Sequence, residues 1–111
     1  MFTKAVSYRE MNTKLPILLV AATPMELQLL QAELKEVVKD GKLTRGFLGD
    51  QEVVLVATGI GIVNTSFVLG RLLGKHSFQA AINLGIAGAY DDSLHLGEVV
   101  EIQSDSFTDM G

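Results

Sequence analysis

Apolar positions along the chain fall into three short continuous runs, at residues 16–22, 53–57 and 80–84. A continuous apolar run of this length is typical of a strand that is buried on both faces. Asn83 lies inside the third run. A buried amide needs a hydrogen-bond partner, which is either a group within the fold, a ligand, or the turn that contains Glu26. The pattern therefore predicts three buried strands.

Helical spacing of apolar residues follows two of these runs. Thr23-Pro24 provides an N-cap and a proline at the first helical position, and the first helix is predicted to end at Gly41. Its apolar positions are Leu27, Leu30, Leu34, Val37 and Val38. A second helix is predicted over residues 63–73.

Two more strands complete the predicted fold. Residues 43–48 form one of them, and Gly49-Asp50-Gln51 is a hairpin signal that joins it to residues 52–57, the strand of the second apolar run. Residues 98–102 form the last strand. Strands that alternate with helices predict an α/β fold with a largely parallel sheet.

Small residues occupy the three turns that follow the buried strands, at residues 21–23, 58–61 and 85–88. Ligands bind parallel sheets in the crevice beyond the carboxyl ends of the strands. Small residues let a ligand approach the backbone amides there. We therefore predict that the binding site lies where these three turns converge.

Charge and composition narrow the function classes. Nine Lys and Arg stand against 13 Asp and Glu, so the net charge is −4, which argues against a nucleic-acid-binding module. The absence of cysteine excludes a disulfide scaffold and thiolate metal sites, and it favours the cytoplasm. His76 and His95 have no partner at ligand spacing, so no metal site is predicted. The longest apolar run, residues 15–22, is far shorter than the ~20 residues that cross a membrane.

Glu26 is the candidate catalytic residue, and two interpretations of it remain open. It lies in the first turn of the first predicted helix, where the helix dipole favours a carboxylate. It also lies at the carboxyl end of the first strand, where it can act as a general base or orient a water molecule.

Gly59-Ile60-Gly61 resembles the start of a dinucleotide fingerprint, but Asn64 occupies the position of the third glycine. A tight turn is the preferred interpretation, and no cofactor is predicted. Phe107, near the C-terminus, belongs either to a pocket wall or to a frayed chain end.

Four segments in order carry a family resemblance: Ile17-Leu-Leu-Val-Ala-Ala-Thr-Pro-Met-Glu26, Thr58-Gly-Ile-Gly61, Ile82-Asn-Leu-Gly-Ile-Ala-Gly88 and Leu96-Gly-Glu-Val-Val100. Together they resemble the nucleoside phosphorylase/nucleosidase superfamily, whose three-layer fold has a central, mostly parallel sheet. Within it, Gly85-Ile-Ala-Gly88 and Ser104-Asp-Ser-Phe-Thr-Asp-Met-Gly111 are most similar to futalosine hydrolase of menaquinone biosynthesis. Methylthioadenosine/S-adenosylhomocysteine nucleosidases carry Ser where this chain has Ile86.

The resemblance implies hydrolysis of the N-glycosidic bond of a purine nucleoside, with futalosine giving hypoxanthine and dehypoxanthinyl futalosine. It implies that Glu26 orients the attacking water. The implied substrate-binding residues are Ala22, Thr23, Ile86, Ala87, Gly88 and Phe107. The first turn has no Arg, and Asn83 stands where some phosphorylases place a phosphate-binding Arg, so water is the implied nucleophile. The family also implies a homo-oligomer.

The resemblance covers residues 16–111, with residues 1–15 as an N-terminal extension and Met11 as an alternative start. The family's general acid, an Asp near its C-terminus, has no counterpart here, and the family domain is about twice as long. We expect residues 16–111 to be the N-terminal half of a nucleosidase domain. Its sheet would then be incomplete, and this polypeptide alone would be inactive and poorly stable.

Two other functions remain open. The chain could act within the same superfamily on methylthioadenosine or S-adenosylhomocysteine. These nucleosides release adenine, whereas futalosine releases hypoxanthine. It could also be a non-catalytic α/β nucleotide-binding or interaction module.

Overall fold

The computed structural model describes residues 15–106, and Phe107 and Met11 lie outside the described residues. Within this range the chain forms five strands and two helices. In chain order they are β1 (Ile17–Ala21), α1 (Pro24–Glu33), β2 (Lys35–Asp40), β3 (Leu43–Leu48), β4 (Gln51–Ala57), α2 (Ile62–Lys75) and β5 (Ala80–Asn83).

The five strands form one sheet in the order β2-β3-β4-β1-β5. The central strand β1 pairs in parallel with β4 on one side and with β5 on the other. The pairings of β2 with β3 and of β3 with β4 are antiparallel, because short turns join these strands. The predicted α/β class and the 43–48/52–57 hairpin are confirmed, and the parallel part of the sheet is the part that carries the candidate site.

The helices pack on opposite faces of the sheet, which gives the predicted three layers. Side chains alternate between the faces of a strand. Leu19 and Ala21 of β1 therefore pack with Leu27 of α1, whereas Leu18 and Val20 pack with Leu72 of α2. The continuous apolar runs in β1 and β4 follow from this burial on both faces.

The first helix is shorter than predicted. It ends at Glu33 instead of continuing to Gly41, and β2 takes up the remaining residues. Leu34 is buried in the core as expected, but Val37 and Val38 are exposed on an edge strand. The backbone of Glu36 has a positive φ of 55°, and the register with β3 shifts between Lys35 and Val38. Pairing with β3 therefore replaces the last helical turns.

In the C-terminal part of the chain the strand predicted at residues 80–84 forms as β5, but its predicted burial is wrong, and so is the strand predicted at residues 98–102. Residues 80–84 were expected to form a buried strand, but β5 is an edge strand of the described sheet, Ile82 is 40% exposed, and Asn83 is exposed. Residues 98–102 do not form a strand, because no strand of residues 15–106 pairs with them. The second helix is confirmed, with bounds slightly wider than predicted. Neither helix among residues 15–106 is long and apolar enough to span a membrane.

Candidate active site

Backbone hydrogen bonds join the turns that follow β1, β4 and β5. Thr58 N–H donates to the carbonyl oxygen of Ala21 at 2.9 Å, and Gly59 N–H donates to that of Ala22, also at 2.9 Å. On the other side of β1, Leu84 N–H donates to the carbonyl oxygen of Val20 at 2.7 Å. The three turns therefore start side by side at the carboxyl ends of β1, β4 and β5, and direct hydrogen bonds join the first two of them.

Glu26 lies beside these turns, and the first turn of α1 positions it. Its Oε2 accepts hydrogen bonds from Ala22 N–H at 3.2 Å and from Thr23 N–H at 3.3 Å. The bond from Thr23 is the carboxylate half of a capping box, which holds the start of the helix. The helix dipole also favours a negative charge at this position.

The other carboxylate oxygen of Glu26 faces the turn after β5. A Cβ atom built on Gly85 would lie 3.9 Å from Oε1, so this glycine leaves room beside the carboxylate. No hydrogen bond within the described residues occupies Oε1. Glu26 is therefore anchored through one oxygen and can present the other to a water molecule or a substrate.

An open cavity of about 480 Å³ lies between the first two turns. Its lining residues are Ala22, Pro24, Lys42, Ala57, Thr58, Gly59 and Asn64. Ala22 and Thr23, both predicted to bind substrate, are half-buried beside Glu26. Much of the cavity lining is made of the small residues Ala22, Ala57 and Gly59, which leave room for a ligand to approach the backbone.

The glycine turn after β4 is a structural turn that Asn64 closes. Gly59 and Gly61 have φ values of 88° and 97°, which are accessible to glycine at low cost. Asn64 Nδ2 donates to the carbonyl oxygen of Ile60 at 2.8 Å. A Cβ on Gly59 would lie 3.4 Å from the Asn64 side chain. This geometry supports the tight-turn interpretation over a dinucleotide fingerprint.

Ile86, Ala87 and Gly88 lie away from this cavity in the described residues. Ile86 is 82% exposed. Ala87 and Gly88 line a separate open cavity of about 610 Å³, together with the loop that runs to Ile102. Of the Gly85–Gly88 turn, Gly85 is the residue that approaches Glu26.

The two histidines and Asp91 make local contacts. His76 caps the end of α2, and His95 N–H donates to Glu98 Oε1 at 3.2 Å. Ser93 N–H donates to Asp91 Oδ1 at 2.9 Å, and hydrogen bonds from Ser93 hold the pKa of this carboxyl below its usual value. Across residues 15–106, no three His, Asp or Glu side chains come together in a group that could hold a metal ion.

Sequence reasoning overlooked Thr58 as a site residue. It directly follows β4, it is 6% exposed, and its hydroxyl lies within hydrogen-bond distance of Gly59 and Thr65. The available signal was a single hydroxyl placed directly after the apolar run 53–57 and before a glycine turn.

Comparison with known protein families gives a match to the phosphorylase superfamily over residues 16–108. Two similar curated proteins are 5'-methylthioadenosine/S-adenosylhomocysteine nucleosidases. That of Bacillus cereus (strain B4264) is 35% identical over 88 residues, which is 76% of this chain and 38% of the relative. That of Staphylococcus aureus (strain Newman) is 35% identical over 86 residues, with 74% and 38% covered. The chain therefore spans 38% of the length of these relatives.

Solved structures of the same kind share the fold. The 5'-methylthioadenosine/S-adenosylhomocysteine nucleosidase from Streptococcus pneumoniae, with the transition-state inhibitor MT-ImmA, matches with a TM-score of 0.64 and 34% identity. The match covers 74% of this chain and 37% of that one. The nucleosidase from Colwellia psychrerythraea 34H, in complex with adenine, matches with a TM-score of 0.65 and 26% identity, over 77% and 37% of the two chains.

Proposed function

Because the chain belongs to the phosphorylase superfamily, we propose that it forms the N-terminal part of a nucleosidase that hydrolyses the N-glycosidic bond of a purine nucleoside. The observation that carries the proposal is the position of Glu26. Its carboxylate lies where the turns after β1, β4 and β5 start side by side, with one oxygen anchored and the other facing Gly85.

Glu26 fits the role of the residue that orients the attacking water. Cleavage of a glycosidic bond passes through a transition state with oxocarbenium character, so positive charge develops on the sugar. A carboxylate held by two backbone N–H groups stays in place while its second oxygen accepts a proton from water or stabilises that charge. The residue that protonates the leaving base is expected elsewhere in the protein.

The positions of the arginines support water over phosphate as the nucleophile. Among residues 15–106, Arg45 and Arg71 are the only arginines. Arg45 pairs with Glu52 at 3.9 Å, and Arg71 lies 5.7 Å from the centre of the Phe67 ring. Neither lines the cavity beside Ala22 and Gly59. Of the described residues, Lys42 is the one cation that lines this cavity, and its ammonium group does not make the bidentate contact by which arginine recognises phosphate.

5'-Methylthioadenosine and S-adenosylhomocysteine are the proposed substrates, because the relatives described above are nucleosidases for these compounds. Futalosine is the second candidate, and Ile86 is the residue that favours it. An apolar side chain stands there in place of the serine of the methylthioadenosine nucleosidases, and it is exposed in the described residues. We include in the proposal a cytoplasmic location and assembly into a homo-oligomer.

The substrate is tested with the protein expressed from its complete reading frame. Purified enzyme is incubated separately with 5'-methylthioadenosine, S-adenosylhomocysteine and futalosine, and free adenine or hypoxanthine is quantified by chromatography. We expect kcat/KM for methylthioadenosine to exceed that for futalosine at least about tenfold, because a site shaped for one 5' group discriminates against another. The opposite order would assign the protein to futalosine, and release of neither base would remove the proposed function.

A further inference from the structure

Thr58 is the one polar residue among the buried side chains of residues 15–106. A hydroxyl has a single proton to donate, and two lone pairs that accept. The Thr58 Oγ1 lies 3.0 Å from the carbonyl oxygen of Gly59 and 3.2 Å from Thr65 Oγ1. The Thr58 hydroxyl can therefore donate to the carbonyl oxygen of Gly59 while it accepts from the Thr65 hydroxyl. These contacts join the glycine turn to the first turn of α2.

The turn that Thr58 begins is bonded to the same peptide groups that hold Glu26. In the peptide group between Ala21 and Ala22, the carbonyl oxygen accepts Thr58 N–H at 2.9 Å and the N–H donates to Glu26 Oε2 at 3.2 Å. The Thr58 hydroxyl lies at 3.5 Å from that same carbonyl oxygen.

The next peptide group repeats the arrangement. The carbonyl oxygen of Ala22 accepts Gly59 N–H at 2.9 Å, and Thr23 N–H, in the same peptide group, donates to Glu26 Oε2 at 3.3 Å. A peptide group is planar, so fixing its carbonyl end also fixes the direction of its N–H. The turn after β4 therefore sets the direction of both N–H groups that anchor the Glu26 carboxylate.

We propose that Thr58 is a positioning residue for Glu26, acting through these two peptide groups. Its hydroxyl keeps the Thr58–Gly59 backbone aimed at Ala21 and Ala22 by bonding Gly59 and Thr65. Thr58 does not need to touch the substrate for this role. The inference deepens the proposed function and rests on it for the kinetic consequence, whereas the anchoring of Glu26 can be measured without any substrate.

The first test uses the substrate-free protein from the complete reading frame. Amide NMR shifts of Ala22 and Thr23 are followed as a function of pH, in the wild type and in T58V and T58S. T58V keeps the shape of the side chain and removes the hydroxyl, whereas T58S keeps the hydroxyl. We expect the pH-dependent shift changes of both amides to shrink at least about twofold in T58V and to persist in T58S, because hydrogen bonds in a network strengthen one another.

The second test is kinetic and uses a double-mutant cycle with E26Q. T58V is expected to lower kcat about tenfold in the wild-type background, with KM changed less than about twofold, because small displacements of a catalytic group are costly. In the E26Q background, T58V is expected to change kcat less than about twofold, since the carboxylate that it positions is already absent. A purely structural role for Thr58 would lower kcat equally in both backgrounds.

Unchanged amide titrations in T58V, or equal kinetic losses in both backgrounds, would overturn the proposal. If T58V fails to fold, T65V replaces it, because this change removes the partner hydroxyl from a half-buried position on α2. A protein that hydrolyses no nucleoside but shows the expected amide titrations would contradict the proposed function and still support the anchoring of Glu26 by Thr58.

Discussion

Replacement of Glu26 by Gln is expected to lower kcat for purine release by about two to four orders of magnitude, the usual contribution of a positioned acid or base. Gln keeps an oxygen that can accept hydrogen bonds from Ala22 and Thr23, so the start of α1 is preserved. It removes the negative charge that orients water and stabilises the oxocarbenium-like sugar. Steady-state rates of base release in the protein from the complete reading frame measure the effect.

Glu33→Gln provides the matched control for this prediction. Glu33 is the last residue of the same helix and is exposed, so its replacement changes the net charge equally at a distance from the three turns. We expect kcat of Glu33→Gln to stay within about twofold of the wild type, as for most surface substitutions. If Glu26→Gln also keeps full activity while remaining folded, Glu26 is only a helix cap.

Replacement of Gly46 by Ala is expected to lower the free energy of unfolding by about 1–3 kcal/mol, the usual cost of overpacking a core. Gly46 is buried in β3, and an added Cβ would stand 2.9 Å from Leu34 Cβ and 3.2 Å from the carbonyl oxygen of Lys35. These atoms belong to the junction of α1 and β2, so relief of the clash requires a backbone shift. Urea denaturation of the two proteins measures the difference.

Gly70→Ala is the control with the opposite expected sign. Gly70 lies inside α2, and a Cβ there meets no atom within 4 Å. Alanine in a helix interior is favoured over glycine by about 0.5–1 kcal/mol, so this variant is expected to be slightly more stable than the wild type. Equal stability of Gly46→Ala and wild type would show that the junction of α1 and β2 is looser than the structure indicates.

Local sequence signals were sufficient for the elements that their own residues specify. Continuous apolar runs predict β1 and β4, and Thr23-Pro24 predicts the start of α1. Gly49-Asp50-Gln51 predicts the turn between β3 and β4. The end of α1 was not predictable in this way, because Leu34, Val37 and Val38 fit a helical face. Tertiary pairing with β3 decides that Val37 and Val38 belong to a strand.

Burial in the C-terminal half could not be deduced from apolar content. Residues 80–84 have the composition of a buried strand, but β5 pairs only with β1 within the described residues, so Ile82 and Asn83 are exposed. Residues 98–102 contain the β-branched side chains typical of a strand, but they have no partner strand in the described part of the chain. In both cases the structure of a strand depends on neighbours that its own sequence does not specify.

In the candidate site, too, one residue was predictable from local sequence and another was not. Glu26 was identifiable because it follows a strand and a helix-start signal in the sequence. The contribution of Thr58 depends on the register between β1 and β4, which places its amide opposite Ala21 and that of Gly59 opposite Ala22. Such a contact, 37 residues apart along the chain, leaves no local pattern.

The most direct test of the central claim is the identity of the products that the protein from the complete reading frame forms from 5'-methylthioadenosine. The reaction is followed by mass spectrometry with and without inorganic phosphate. The account predicts free adenine and free 5-methylthioribose at the same rate in both conditions, because a water held by Glu26 is the nucleophile. Formation of 5-methylthioribose 1-phosphate, with turnover that requires phosphate, would contradict it.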